Sequence, residues 1–233
     1  MSEIFISVIL IIFTITVYQL FAYVQKRLQA IWFNPMVLAI AVIIPTLLYF
    51  NIHFEQYYQA TMPLHFLLEP AVVALGFPLY QHLHSIKKHW QTIIKLLSLA
   101  ALLALSTSYI ATMILIKIPE IAVSLSLKSV TTPIGIALTE ELNGNSSITA
   151  FSIILAGLFG ALLGPTWLNF IGVTSAKAQG LAIGAGSHAL GTATISKISY
   201  EHGAYGSLGL IVSAVLTALI SPILIPYLKI MMG

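Results

Sequence analysis

The sequence predicts an all-α, polytopic membrane protein of about seven or eight transmembrane segments, on three observations. Hydrophobic residues make up 58% of the 233 positions and charged residues 7%, a balance that would not stay soluble as a folded monomer. Charge-free runs lie between Glu3 and Lys26, Arg27 and Glu55, Lys95 and Lys117, Glu141 and Lys177, Lys177 and Lys197, and Glu201 and Lys229. Each has room for roughly 20 apolar residues, the length that crosses about 30 Å of hydrocarbon as a helix. The period-2 alternation of a membrane β-barrel is missing. The lipid bilayer is therefore the first expected partner. Ten basic residues with a net charge of +3 form no polybasic run, which gives a nucleic-acid partner no support. The sequence has no cysteine, which removes disulfides and thiolate metal sites. No cofactor and no metal site is expected.

Taken in order, the opening MSEIFISVILIIFTITVYQLFAYVQKR reads as a retained first span. Its apolar run is too long for a signal peptide, and Lys26 and Arg27 follow it instead of preceding it. Helices are expected at about 4–24, 34–52, 63–82, 91–117, 129–142, 147–172, 179–197 and 203–228, the third and seventh interrupted and the fifth short. If 63–82 crosses, the lysines and arginine near 26 and 88 put those loops in the cytoplasm and the N-terminus outside. The isolated Lys117, Lys128, Lys177, Lys197 and Lys229 set no orientation for the second half.

The two interruptions are LEPAVVALGFPLY at 68–80 and GLAIGAGSHALGTA at 180–193, each flanked by long apolar spans. They suggest one integral domain, 1–233, built from repeat halves 1–117 and 118–233, with the polar stretch 117–147 as the hinge. Matched Gly/Pro interruptions free backbone groups that must be satisfied inside protein or toward a solute, so the two segments are expected to face one another at the bilayer centre.

Candidate residues follow from that expectation. Pro70 and Gly76, with Pro78, remove donors or weaken the helix in the first segment. In the second, Gly184, Gly186 and Gly191 would admit an anion close to backbone N–H groups, and Ser187 and Thr192 offer hydroxyls. His188 is the one ionisable group between Lys177 and Lys197, set either to contact solute and proton or to donate as a neutral imidazole to a helix carbonyl. Thr131 and Thr132 open a short helix that Glu140 and Glu141 close before the Asn143-Gly144-Asn145 turn. Glu69, Glu140, Glu141 and His188 are the proton-coupling candidates. Ser187 beside His188 does not make a hydrolase, because adjacent helical residues point about 100° apart and no third group completes a triad. No enzyme activity is expected. With no Lys or Arg in 56–86 or 178–196, an anion would be held by helix termini, hydroxyls and His188.

PAVVALGFPLY at 70–80, KSVTTPIGIALTEELNG at 128–144, SSITAFSIILAGLFGALLG at 146–164 and GLAIGAGSHALGTA at 180–193 resemble the LrgB/CidB family of antiholin-like bacterial membrane proteins. The same pattern is similar to the C-terminal half of a plant chloroplast glycolate/glycerate carrier. The resemblance implies a bacterial cytoplasmic membrane location and transport of small monocarboxylates or 2-hydroxy acids of the glycolate, glycerate or pyruvate type; protonation of His188 would add a positive charge at the site, which makes a proton the natural coupling ion. The family's other implied role is control of murein hydrolase activity and lysis. It also implies a small LrgA/CidA-type membrane partner, and the chain's size suits a homodimer. Glu69 stands where the family pattern suggests a small neutral residue, and Asn143-Gly144 where it suggests Gly-Gly.

Overall fold

The computed structural model describes residues 3–28, 35–67, 70, 73, 74 and 76–232, and among these the regular structure is all helix, with no strand. It divides into two compact units, Met1–Ala74 and Leu75–Gly233. The division falls at 74/75, away from the 117/118 boundary expected from the interruptions.

The first unit contains α1 (Glu3–Leu28), α2 (Pro35–Tyr49), α3 (Phe54–Ala60) and α4 (Met62–His65). A turn with Asn51 at φ 52° bends α3 away from α2 by 117°. The Thr14 hydroxyl lies 2.9 Å from Tyr57 Oη and ties α1 to α3.

The second unit contains α5 (Gly76–Gln81), α6 (Leu83–Leu115), α7 (Pro119–Ser126), α8 (Thr132–Glu141), α9 (Ser146–Phe170), α10 (Ala176–Ile195) and α11 (Tyr200–Met232). Helices α6 and α11 run in the same direction. At one end Ser85 Oγ meets Tyr205 Oη at 2.9 Å, and Ile86, Ile93 and Leu97 pack with Tyr205, Val212 and Leu216. At the other, Leu105 and Tyr109 pack with Ile225 and Leu228. The buried face of α11 repeats every three or four residues and is mostly small: Gly203, Gly206, Ser207, Gly209, Ser213, Ala214, Thr217 and Ser221. Small residues let backbones approach where lipid supplies no hydrophobic drive between helices. The large apolar side chains instead point outward, as at Phe151, Phe159 and Ile223, the arrangement expected against hydrocarbon.

Four helices among the described residues are long and apolar enough to cross a membrane: Phe5–Leu28, His84–Leu115, Ser146–Phe170 and Tyr200–Met232. A fifth is added if the bent pair Pro35–Tyr49 and Phe54–Ala60 counts as one span. Seven or eight spans were expected, and one of them, 63–82, falls partly outside the described residues. Neither 117–147 nor 177–197 supplies one of these long helices; each folds back on itself, as described below. The chain is thus a multi-pass, all-α membrane protein.

Candidate functional site

Helix α10 departs from helical geometry at Ser187 (φ −131°, ψ 15°) and His188 (φ 41°, ψ −139°). There the chain reverses. A Cβ on Gly206 of α11 would lie 3.4 Å from Ile195 Cγ2 and 3.8 Å from the Gly180 carbonyl oxygen, although Gly180 and Ile195 would stand roughly 22 Å apart on one straight helix. Likewise Gly191 is in contact with Ile183 and with the Ser187 side chain across the turn. The segment is a helical hairpin, arms 176–186 and 189–195, with Ser187–His188 at its tip.

A second hairpin precedes it. Helix α7 meets the turn that follows α8: the Asn145 N–H donates to Ser124 Oγ at 2.7 Å, and Asn145 Nδ2 donates to Glu120 Oε1 at 3.3 Å. Asn143 (φ 58°) closes α8 in the left-handed region, with the Gly144 N–H donating to the Thr139 carbonyl at 2.8 Å. The tip of this hairpin is 127–131. Its interior is core, with Ala122, Val123, Ser126, Leu127, Val130 and Thr139 at most 1% exposed. The stretch 117–147 is therefore packed structure and not the hinge its polarity suggests.

Both hairpins pack on α9, and they approach it from opposite ends. Asn145, at the base of the first, caps α9 by accepting from the Ser147 and Ile148 N–H groups at 3.1 and 3.2 Å. At the base of the second, Gln179 Nε2 donates to Asn169 Oδ1 at 2.6 Å, near the other end of α9. From the first hairpin Gly135 touches Ile153 and Thr149. From the second, His188 Nε2 donates to the Ile153 carbonyl at 2.8 Å, its ring lies over Gly157, and Ser187 sits against Gly160. The first hairpin thus reaches α9 at Thr149–Ile153 through Gly135, and the tip of the second reaches it at Ile153–Gly160, so the two meet at Ile153.

Backbone in such a place must be satisfied by protein or by a solute. His188 is 5% exposed and holds an unfavourable positive φ, a strain of about 1–3 kcal/mol that its bond to Ile153 and the bond from Thr192 Oγ1 to its own carbonyl (2.8 Å) help offset. A carbonyl only accepts, so Nε2 carries the proton. Gly184 is pressed against the Gly206 carbonyl of α11, and Gly191 fills the gap between the hairpin arms, so both serve close helix packing. Gly186 differs: no heavy atom lies within 4 Å of where its Cβ would be. Thr131 is the N-cap residue of α8 yet makes no side-chain cap bond, and Thr132 follows it at the first hairpin's tip.

Other expected site residues are not brought here. Glu140 and Glu141 are exposed at the far end of α8, at the base of the hairpin. Pro70 is exposed in the first unit, and Gly76 opens α5 with empty space around its Cβ position. Glu69 lies outside the described residues, as do several neighbours in 68–75, so the expected interruption there is only partly covered.

Sequence reasoning passed over three features. The base of the second hairpin is latched by His202 Nε2 to Gln179 Oε1 (3.1 Å) and by Lys177, which donates to Ser85 Oγ (3.2 Å) and pairs with Glu201 at 3.9 Å. Lys229 Nζ donates to the Leu142 carbonyl at 3.0 Å, a cation at the C-terminus of α8. Lys128, at the first hairpin's tip, donates to Ser108 Oγ of α6 at 2.8 Å. Its signal was a lone lysine just ahead of the Thr131-Thr132-Pro133 helix start.

Comparison with known proteins bears on the same segments. The LrgB-like family pattern matches residues 14–227. A Staphylococcus epidermidis protein named Holin-like protein CidB is 31% identical over 229 residues, 97% of this chain and 98% of the relative. Its Staphylococcus aureus namesake is 30% identical over 94% of this chain and 96% of its own length. An uncharacterized protein of Haemophilus influenzae is 30% identical over 85% of this chain and 86% of its own. No solved structure matches the chain. With the family pattern covering most of its length and full-length relatives at this identity, the chain belongs to the LrgB-like family.

Proposed function

We propose that the second unit forms a path for a small carboxylate of the glycolate, glycerate or pyruvate kind across the bacterial cytoplasmic membrane, with proton coupling. The observation that carries this reading is that two hairpins approaching α9 from opposite ends meet at Ile153, one through Gly135 and the other through His188. Uniform pore-forming helices have no use for such an arrangement, whereas discontinuous helices meeting at mid-depth supply the backbone groups and hydroxyls that bind a solute. Ser187, His188, Thr131 and Thr132 are the side chains set to line the path, with Thr192 and the glycines of α10 shaping it. The test is uptake of radiolabelled glycolate and pyruvate into proteoliposomes, with and without a pH gradient. Saturable uptake with mutual competition is expected. If the carboxylates do not compete while unrelated cations or neutral solutes pass, the reading fails.

The second reading is a holin-like or antiholin-like protein that modulates murein hydrolase activity and lysis. The names of the Staphylococcus relatives favour it over any particular solute. It expects leakage without saturation and self-association in the membrane. The same liposomes loaded with a dye, together with cross-linking alone and beside an LrgA/CidA-type partner, separate the two.

A further inference from the structure

We infer that Lys128 supplies the fixed positive charge that holds an anionic solute at the tip of the first hairpin; this rests on the carrier reading above. The sequence led to the opposite expectation, a site without Lys or Arg, because it considered only 56–86 and 178–196. The fold places the loop 127–131 near the second of these segments, since Gly135, one turn into α8, touches Val130 of the loop and also Ile153 of α9, the residue that His188 bonds.

The surroundings of Lys128 are those of a cation waiting for a counter-ion. Its side chain is half-buried, and among the described residues its hydrogen bond is to the Ser108 hydroxyl of α6. Ser108 in turn donates its own proton to the Leu125 carbonyl at 3.0 Å, so it offers the ammonium only lone pairs and holds it in place. Among the described residues no carboxylate lies within 4 Å of Lys128; the ion pair found is Lys177–Glu201, at the base of the other hairpin. Its partner Ser108 lies within the candidate span His84–Leu115, and an ammonium held inside a span is costly without a partner and generally serves a pathway. A neutral hydroxyl leaves the charge uncompensated and two of its three N–H donors unused. Two donors on one cation suit the two oxygens of a monocarboxylate, in charge-assisted bonds stronger than neutral ones. The Thr131 hydroxyl, which does not cap α8, stands three residues away on the same tip.

The experiment compares glycolate with its neutral isostere glycolamide as competitors of labelled glycolate uptake in proteoliposomes. Wild type is expected to prefer glycolate strongly. Lys128→Gln should weaken glycolate by on the order of ten- to a hundredfold while leaving glycolamide unchanged, which erases the preference. Lys128→Arg keeps the charge and should keep the preference; Ser108→Ala, which frees the ammonium without removing it, should cost only a few-fold. Melting of each purified variant reports a merely structural role, in which stability would change and the preference would not. A Lys128→Gln protein that still prefers glycolate as wild type does overturns the assignment. Should that variant fail to fold, loss of the preference in Lys128→Arg overturns it equally. A wild type that admits no carboxylate overturns the carrier reading and this inference with it, a result distinct from failure of the variant alone.

Discussion

Gly184 and Gly186 stand two positions apart in one sequence context, yet a methyl group added to each should act in opposite directions. At Gly184 it would strike the Gly206 carbonyl oxygen, with the Gly206 carbonyl carbon at 2.8 Å and Cα at 3.0 Å. These are backbone atoms of α11 and cannot rotate aside. Moving the arm away is also hindered, because the Gly209 Cβ position is 2.6 Å from the Leu181 carbonyl oxygen and that of Gly180 is 2.7 Å from the His202 carbonyl oxygen, so the two helices touch along their length. Overpacking of this kind costs about 1–3 kcal/mol, and a backbone clash belongs at the upper end. For a chain of this size each kcal/mol moves the melting temperature by roughly 2–4 °C, so Gly184→Ala should melt roughly 6–12 °C lower. At Gly186 the added methyl meets nothing, and Ala is better than Gly in a helix by about 0.5–1 kcal/mol. Gly186→Ala should therefore melt at the wild-type temperature or slightly above. The assay is thermal unfolding of the detergent-purified proteins followed by intrinsic fluorescence. Equal melting of the two variants, or a greater loss at Gly186, would refute the hairpin-on-α11 packing.

Three further outcomes are expected. His188→Ala removes the bond to Ile153 and the ring that covers Gly157, so it should lower stability by about 1–3 kcal/mol and reduce uptake while the protein still reaches the membrane; full uptake at wild-type stability would count against a role at the tip. Tyr109 is fully buried with no partner for its hydroxyl among the described residues, so Tyr109→Phe should be neutral or stabilising by about 1 kcal/mol, and a clear drop in melting temperature would reveal a partner. Asn145→Ala removes the cap of α9 and its link to Glu120, which should cost about 1 kcal/mol or somewhat more in the same melting assay; no change would show the cap to be dispensable.

Much of the class was legible in the chain. Long charge-free runs report the surrounding solvent directly, and the helices at 3–28, 83–115, 146–170 and 200–232 follow from them. The residues singled out for weak helix propensity around one ionisable group, Ser187 and His188, are those at which α10 leaves helical dihedrals. The Asn143-Gly144-Asn145 turn likewise closes α8 and caps α9 through local chemistry.

Direction is what the sequence could not carry. A helix that crosses and an arm that enters and returns have the same local hydropathy, so 177–197 read as a span until contacts of Gly180 and Ile195 with the same Gly206 revealed a reversal. The polarity of 117–147 resembled a hinge because its hydroxyls are visible in sequence, while their partners are not: Ser124 bonds Asn145, Thr139 lies 2.7 Å from Thr149, and Lys128 meets Ser108, each many residues away. The roles of the glycines were hidden for the same reason, since whether Gly184 faces a ligand or another backbone depends on where Gly206 lies. Composition and short-range propensity determined that this chain is a helical membrane protein and where its helix weakens; tertiary packing decided which segments turn back and which lysine stands at the tip, because those depend on contacts between residues far apart in the chain.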